Sequence, residues 1–128
     1  MRFRFDQEVP VIVVTPTLTG INGKRKKVDM ALDTGATYTM IPWEFAEVLG
    51  YKPEISKNRV KLITASGVEK APAITLASMN LLGKKIDNVK TIVHDLPEKS
   101  YVDGLLGLSF LRNFEINIDF KDGILEIY

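Results

Sequence analysis

The sequence has no cysteine, one histidine, one tryptophan and a net charge of only +1 over 128 residues. Without cysteine there is no disulfide, no thiol nucleophile and no thiolate metal site, and the absence fits a reducing compartment. A lone histidine, His94, gives neither a metal cluster nor a serine-type triad, so it is expected at the surface or in a structural hydrogen bond. Near-zero charge supplies no broad field for nucleic acid or anionic lipid. Long apolar runs are missing too. "VPVIVV" is far too short to span a bilayer, and "MRFRFDQEVP" lacks the apolar stretch of a signal peptide. A cytoplasmic chain with no membrane and no nucleic-acid partner is the expectation.

What is present is a globular composition, 45% hydrophobic and 26% charged, at the length of one domain, residues 1–128. There is no internal repeat. The texture is short β-rich runs separated by Gly, Asn, Asp and Pro. "VPVIVVTPTLTGI" is β-branched, with Pro16 expected at an edge or bend. Asn22-Gly23 is a strong hairpin signal, after which "KVDMALD" returns. "IPWEFAEVLGY" reads as a helix, with Pro42 in its first turn, an apolar stripe of Phe45, Val48 and Leu49, Trp43 packing it on the sheet, and Gly50 as its stop. Arg59–Leu76 reads as a hairpin turning at Ser66-Gly67, and a second turns near Gly83. "DGLLGLSFLRNF" is expected to run from a strand end into a short helix. Ile116, Ile118 and Phe120 alternate into a last hairpin turning at Asp122-Gly123. The chain is therefore mostly β, with one or two short helices.

"MALDTGATYTMIP" stands out. An apolar strand delivers Asp33 toward the interior, where a lone carboxylate is costly. Thr34 offers a hydroxyl, Gly35 lets backbone N–H groups approach, and Ala36 leaves room. One carboxylate cannot serve as acid and base in the same step. Two about 3 Å apart can, because they share a proton. Asp-Thr-Gly occurs once, so a partner carboxylate must come from a second copy across a two-fold axis. A homodimer is expected.

These residues resemble the retropepsin-type, single-domain aspartic proteases, over roughly Val9 to Phe120. Three features carry the resemblance in order: Leu32-Asp33-Thr34-Gly35-Ala36, a hairpin at the flap position, and Leu105-Leu106-Gly107 followed by a short helix. The ending is closer to prokaryotic and retroelement members than to retroviral ones. The resemblance implies a closed, mostly antiparallel β-barrel and an aspartic endopeptidase acting on peptides or unfolded protein, with no metal and no cofactor. It implies that Asp33 is catalytic, that Thr34 bonds across the dimer axis, and that Gly35 presents its carbonyl to substrate. Thr64, Ala65, Ser66, Gly67 and Val68 would form the flap. Leu105, Leu106 and Gly107 would pass beneath the Asp33 loop as the psi-loop. Leu32, Ile63, Val68 and Leu105 are expected to wall the substrate pocket.

The match has departures. Where retroviral members pair an acid with an arginine, this chain has Thr37 and Leu108, so no orphan charge remains. The flap has a single glycine, Gly67. Ala36 replaces the serine of pepsin-like enzymes, removing a donor to the carboxylate, so an activity optimum of about pH 4–6 is expected. Asp103 is read as a turn or cap rather than an intrachain partner for Asp33. Asp119 and Asp122 are read as turn or strand residues of the last hairpin. A rival reading keeps the fold but makes it a catalytically silent module that dimerises and holds peptides. Another makes Lys24-Arg25-Lys26-Lys27 a nucleic-acid contact. The low net charge and the lack of interleaved aromatics argue for a solvated hairpin end instead.

Overall fold

The computed structural model describes residues 2–64 and 67–128, except for the side chain of Thr64. The strands and helices in chain order are β1 (Arg2–Arg4), β2 (Val13–Val14), β3 (Thr17–Thr19), β4 (Arg25–Lys27), β5 (Met30–Leu32), β6 (Thr39–Ile41), α1 (Trp43–Val48), β7 (Arg59–Thr64), β8 (Gly67–Leu81), β9 (Lys84–Val93), β10 (Gly104–Leu106), α2 (Leu108–Leu111), β11 (Ile116–Asp119) and β12 (Ile124–Ile127). A 3₁₀ turn covers Pro53–Ile55.

Two sheets form. The smaller runs β1-β12-β11, and the larger runs β2-β5-β10-β6-β9-β8-β3-β4, with β7 added to β8. The larger sheet curls into a half-barrel. The closed barrel expected from the sequence is not what forms: among the described residues the path ends at β2 and β4 without pairing them. The reason lies in the first hairpin. Val14 pairs with Met30 and Thr17 with Lys27 in one continuous register, broken between them at Pro16. Pro16 has no N–H for the ladder, although its carbonyl still accepts from the Val28 N–H at 3.2 Å. The ladder is interrupted there, and its two halves belong to the two ends of the sheet path.

The turn chemistry behaves as its residue types dictate. Gly23 takes φ +81°, and the Asn22 side chain accepts from the Lys24 N–H at 3.0 Å. Gly83 closes the β8–β9 turn at φ +81°. Gly50 ends α1 at φ +90°. The α1 stripe differs from expectation. Ala46 and Leu49 are buried, Phe45 is half-buried, and Val48 is exposed. A six-residue helix has room for one buried ridge, and the Val48 end lies against the first hairpin, where the Asn22 amide donates to its carbonyl at 3.1 Å. Trp43 packs against the core as expected. Phe120 also departs from its expected alternation. The strand stops at Asp119, whose carboxylate accepts from the Asp122 N–H at 3.1 Å, and Phe120 is left exposed, with an edge contact to Phe5.

The core joins both sheets. Leu18, Met30, Ile41, Leu49, Leu76, Met79, Leu106, Phe110, Leu125 and Ile127 are fully buried, each stabilising the fold by roughly 1.5–3 kcal/mol relative to exposure. Tyr51 ties the helical side to β8. Its hydroxyl donates to the Thr75 carbonyl at 2.8 Å and accepts from the Ala77 N–H at 3.0 Å. Burial holds this phenol above the usual tyrosine range, with the bond from Ala77 opposing.

Candidate functional site

The site is built around β10. This strand lies between β5, to which it is parallel, and β6, to which it is antiparallel. The chain therefore leaves β5 at Leu32, loops through Asp33–Tyr38, and comes back on the other side of β10. Glycines at both ends of β10 make the approach possible. A Cβ at Gly104 would collide with the Met40 carbonyl oxygen, and one at Gly107 would sit 2.5 Å from the Tyr38 oxygen and 2.7 Å from the Ala36 oxygen.

The loop is fixed mainly through its backbone. The Asp33 N–H donates to the Leu106 carbonyl at 3.0 Å, Leu108 N–H to Ala36 at 2.8 Å, and Ser109 N–H to Thr37 at 3.1 Å. Below it, the hydroxyl of fully buried Thr39 accepts from the Gly107 N–H at 3.2 Å and from the Ser109 hydroxyl at 3.1 Å. The Ser109 oxygen in turn accepts from the Thr39 N–H at 2.9 Å. Leu105, Leu106 and Gly107 thus pass under the loop. Thr37 and Leu108 contribute backbone bonds where an ion pair is absent.

Asp33 is half-buried, and its Oδ1 accepts from the Gly35 N–H at 2.9 Å. Thr34 and Gly35 are exposed, whereas Ala36 is half-buried. The carboxylate borders a cleft of about 480 Å³ whose wall includes Ala36, Tyr38, Met40, Val60, Leu62, Ile63 and Ile92, with Lys61 as its cation. Asp33 is the one acid among the described lining residues. A single carboxylate held by a backbone donor beside an apolar trough can orient water or a peptide carbonyl. Alone it supplies one proton-transfer group.

The β7–β8 hairpin roofs this cleft. Ile63 pairs with Val68 next to the tip, and both are strongly exposed, 88% and 66%. The Thr64 backbone pairs with Gly67, which has φ +124°. Of the expected flap residues, Ala65 and Ser66 lie outside the described residues, as does the Thr64 side chain. Of the expected pocket residues, Ile63 lines the cleft. Leu32 packs against the core, and neither Leu105 nor Val68 is part of this chain's lining. Tyr38, Met40 and Ile92 were not singled out by sequence. Tyr38 and Met40 alternate into β6, and Ile92 lies opposite Met40 on β9, a grouping that becomes readable only once the pairing of these strands is known.

The other candidates separate from the site. Asp103 lines a different cleft, with Glu44, Asp95 and Glu98, and does not join Asp33. His94 lies 3.7 Å from Glu69 on β8. Lys24, Arg25 and Lys27 are exposed, and Lys26 rests over the Phe45 ring. Among the described residues no group of His, Asp or Glu is arranged to hold a metal ion, and no helix is long and apolar enough to cross a membrane.

Comparison with known proteins bears on this geometry. The model of the family described as "gag-polyprotein putative aspartyl protease" matches residues 18–113. Among solved structures, a retropepsin-like aspartic protease from Rickettsia conorii is similar, with 28% identity and a TM-score of 0.74 over 99% of this chain and 88% of that one. No curated protein matched significantly.

Proposed function

Since this chain belongs to the gag-polyprotein aspartyl protease family, we propose that it is an aspartic endopeptidase whose catalytic centre is Asp33 paired with Asp33 of a second copy. The observation that carries this reading is the one-carboxylate cleft. Asp33 stands at the end of β5, clamped by Leu106 and Gly35, beside an apolar trough under a hairpin. That is half of an acid–base pair, and a two-fold axis through the exposed Thr34-Gly35 loops would supply the other half. The same assembly would bring two half-barrels together over one substrate channel, with Thr34 bonding across the axis.

The chemistry follows from two carboxyls sharing one proton. The ionised carboxylate takes a proton from water, and the water oxygen bonds to the scissile carbonyl carbon. The protonated carboxyl gives its proton to the carbonyl oxygen, forming a neutral gem-diol. Collapse of the gem-diol breaks the C–N bond as the amide nitrogen receives a proton, and the carboxyl pair is restored. No covalent intermediate, metal or cofactor takes part. The flap formed by residues 64–68 would close over the peptide and exclude water. Leu32, Ile63, Val68 and Leu105 would then join Tyr38, Met40 and Ile92 against apolar substrate side chains. The site of action is proposed to be the cytoplasm, on peptides or unfolded protein.

The test is hydrolysis of a diverse peptide mixture by the purified protein and by Asp33→Asn, with molecular mass measured in solution. The proposal expects cleavage by the parent, none by a folded Asp33→Asn, and a dimeric mass. Cleavage that survives Asp33→Asn overturns it. A dimer that binds peptides without cutting them would make it a silent binding module.

A further inference from the structure

A second cleft, of about 350 Å³, opens on the outer face of β4, β3, β8 and β9, and shares no lining residue with the Asp33 cleft. Thr17, Thr19, Arg25, Ser78, Asn80 and Lys85 line it. Strand register puts them side by side. Thr19 pairs with both Arg25 and Ser78, Thr17 pairs with Asn80, and Asn80 pairs with Lys85.

Ser78 is the informative residue. It is only 7% exposed, and its hydroxyl has no hydrogen-bond partner among the described residues. No sealed side-chain polar atom there lacks a partner, so this hydroxyl opens on the cleft. Ser78 sits on the floor of the cleft, paired with Thr19 on β3 and with Asp87 on β9. Asn80 uses its Oδ1 to accept from the Gly83 N–H at 3.2 Å, which leaves its NH₂ as a donor. Arg25 has no carboxylate partner among the described residues. Lys85 has one, Asp87 at 3.8 Å, an exposed pair that is weak by its solvation. No carboxylate lines the cleft. Three hydroxyls, an amide donor, a guanidinium and an ammonium converge on one space.

We infer that this cleft binds a small phosphate monoester, with the phosphate between Arg25 and Lys85 over the Ser78 and Thr19 hydroxyls. A phosphate has the acceptors to satisfy every donor, and Arg25 can engage it with two parallel N–H groups. The cleft is larger than a phosphate ion, which leaves space for a sugar-sized ester group toward Thr17 and Asn80.

The test is an NMR titration of the whole chain with inorganic phosphate, ribose 5-phosphate, ribose and sodium chloride at matched ionic strength. The inference expects saturable shifts at Thr19, Ser78 and Asn80 with a Kd of about 1 mM or below. Arg25→Gln and Ser78→Ala should each weaken binding about tenfold, while Asp33→Asn binds like the parent. Lys85→Gln serves as an independent variant should either of the first two fail to fold. Tighter binding of the ester than of inorganic phosphate supports the inference, and equal binding overturns its assignment to a monoester. Shifts reproduced by sodium chloride, ribose binding as well as its phosphate, or binding unchanged in Arg25→Gln would overturn the inference.

Discussion

Replacing Thr39 by valine should cost the fold about 1 kcal/mol and loosen the loop that carries Asp33. Valine matches threonine in shape, so packing in this fully buried position is kept. What is lost is the hydroxyl that accepts from the Gly107 N–H at 3.2 Å and the Ser109 hydroxyl at 3.1 Å. Ser109 is half-buried and can turn to water, but Gly107 is buried and its N–H is stranded. One stranded buried donor costs about 1–3 kcal/mol, offset by about 0.8 kcal/mol for the added methyl group. For a chain of this size that lowers Tm by roughly 3–6 °C. Thermal unfolding followed by circular dichroism reads it, at one fixed protein concentration because a dimer's Tm depends on concentration. Ser109→Ala strands the N–H of fully buried Thr39, which donates to the Ser109 oxygen, and should lower stability at least as much. The double variant should fall short of the sum by about 0.5 kcal/mol or more, because both residues share one network. A Tm change under about 2 °C for Thr39→Val, or strict additivity with Ser109→Ala, would refute the view that this network pins β10 beneath the loop.

Further expectations concern other parts of the molecule. Gly107→Ala puts a methyl group against two backbone carbonyls and should destabilise by about 3 kcal/mol, read by urea unfolding. Tyr51→Phe strands the Ala77 N–H and should cost about 1–2 kcal/mol, visible as a lower urea midpoint. Because burial raises the Tyr51 pKa, the folded state favours the protonated phenol. Its stabilisation is complete below about pH 10, and is lost as pH rises from there through the raised folded value. Urea midpoints should therefore fall more steeply above about pH 10 in the parent than in Tyr51→Phe. Peptide hydrolysis should peak at about pH 4–6, since Ala36 gives Asp33 no hydroxyl donor. A maximum near pH 2 would contradict that.

Local chemistry made much of the fold legible. Asn22-Gly23 and Gly83 turn where their residue types require, Gly50 ends α1, and Pro16 interrupts the first ribbon. Asp33 stood out because a charge rarely ends an apolar strand. Long-range pairing was not legible. β10 is three residues long, and nothing in "GLL" shows that it inserts between β5 and β6. Hence Thr39 and Ser109, which hold it, and Tyr38, Met40 and Ile92, which line the cleft, passed unnoticed. β1 was also missed, because "RFR" is too short for a period and owes its pairing to β12 at the far end of the chain. Barrel closure was over-read, since pairing between the two ends of a curled sheet is a long-range matter that strand count does not decide, and here the path ends at β2 and β4.

The central claim is that two chains each contribute Asp33 to one centre, and subunit mixing tests it most directly. Parent protein is mixed with increasing Asp33→Asn at constant total concentration, and peptide hydrolysis is followed. Random pairing predicts activity proportional to the square of the parent fraction, about a quarter remaining when half the chains are mutant. A linear decline, with about half remaining at that point, would mean that each chain cuts on its own and would contradict the account.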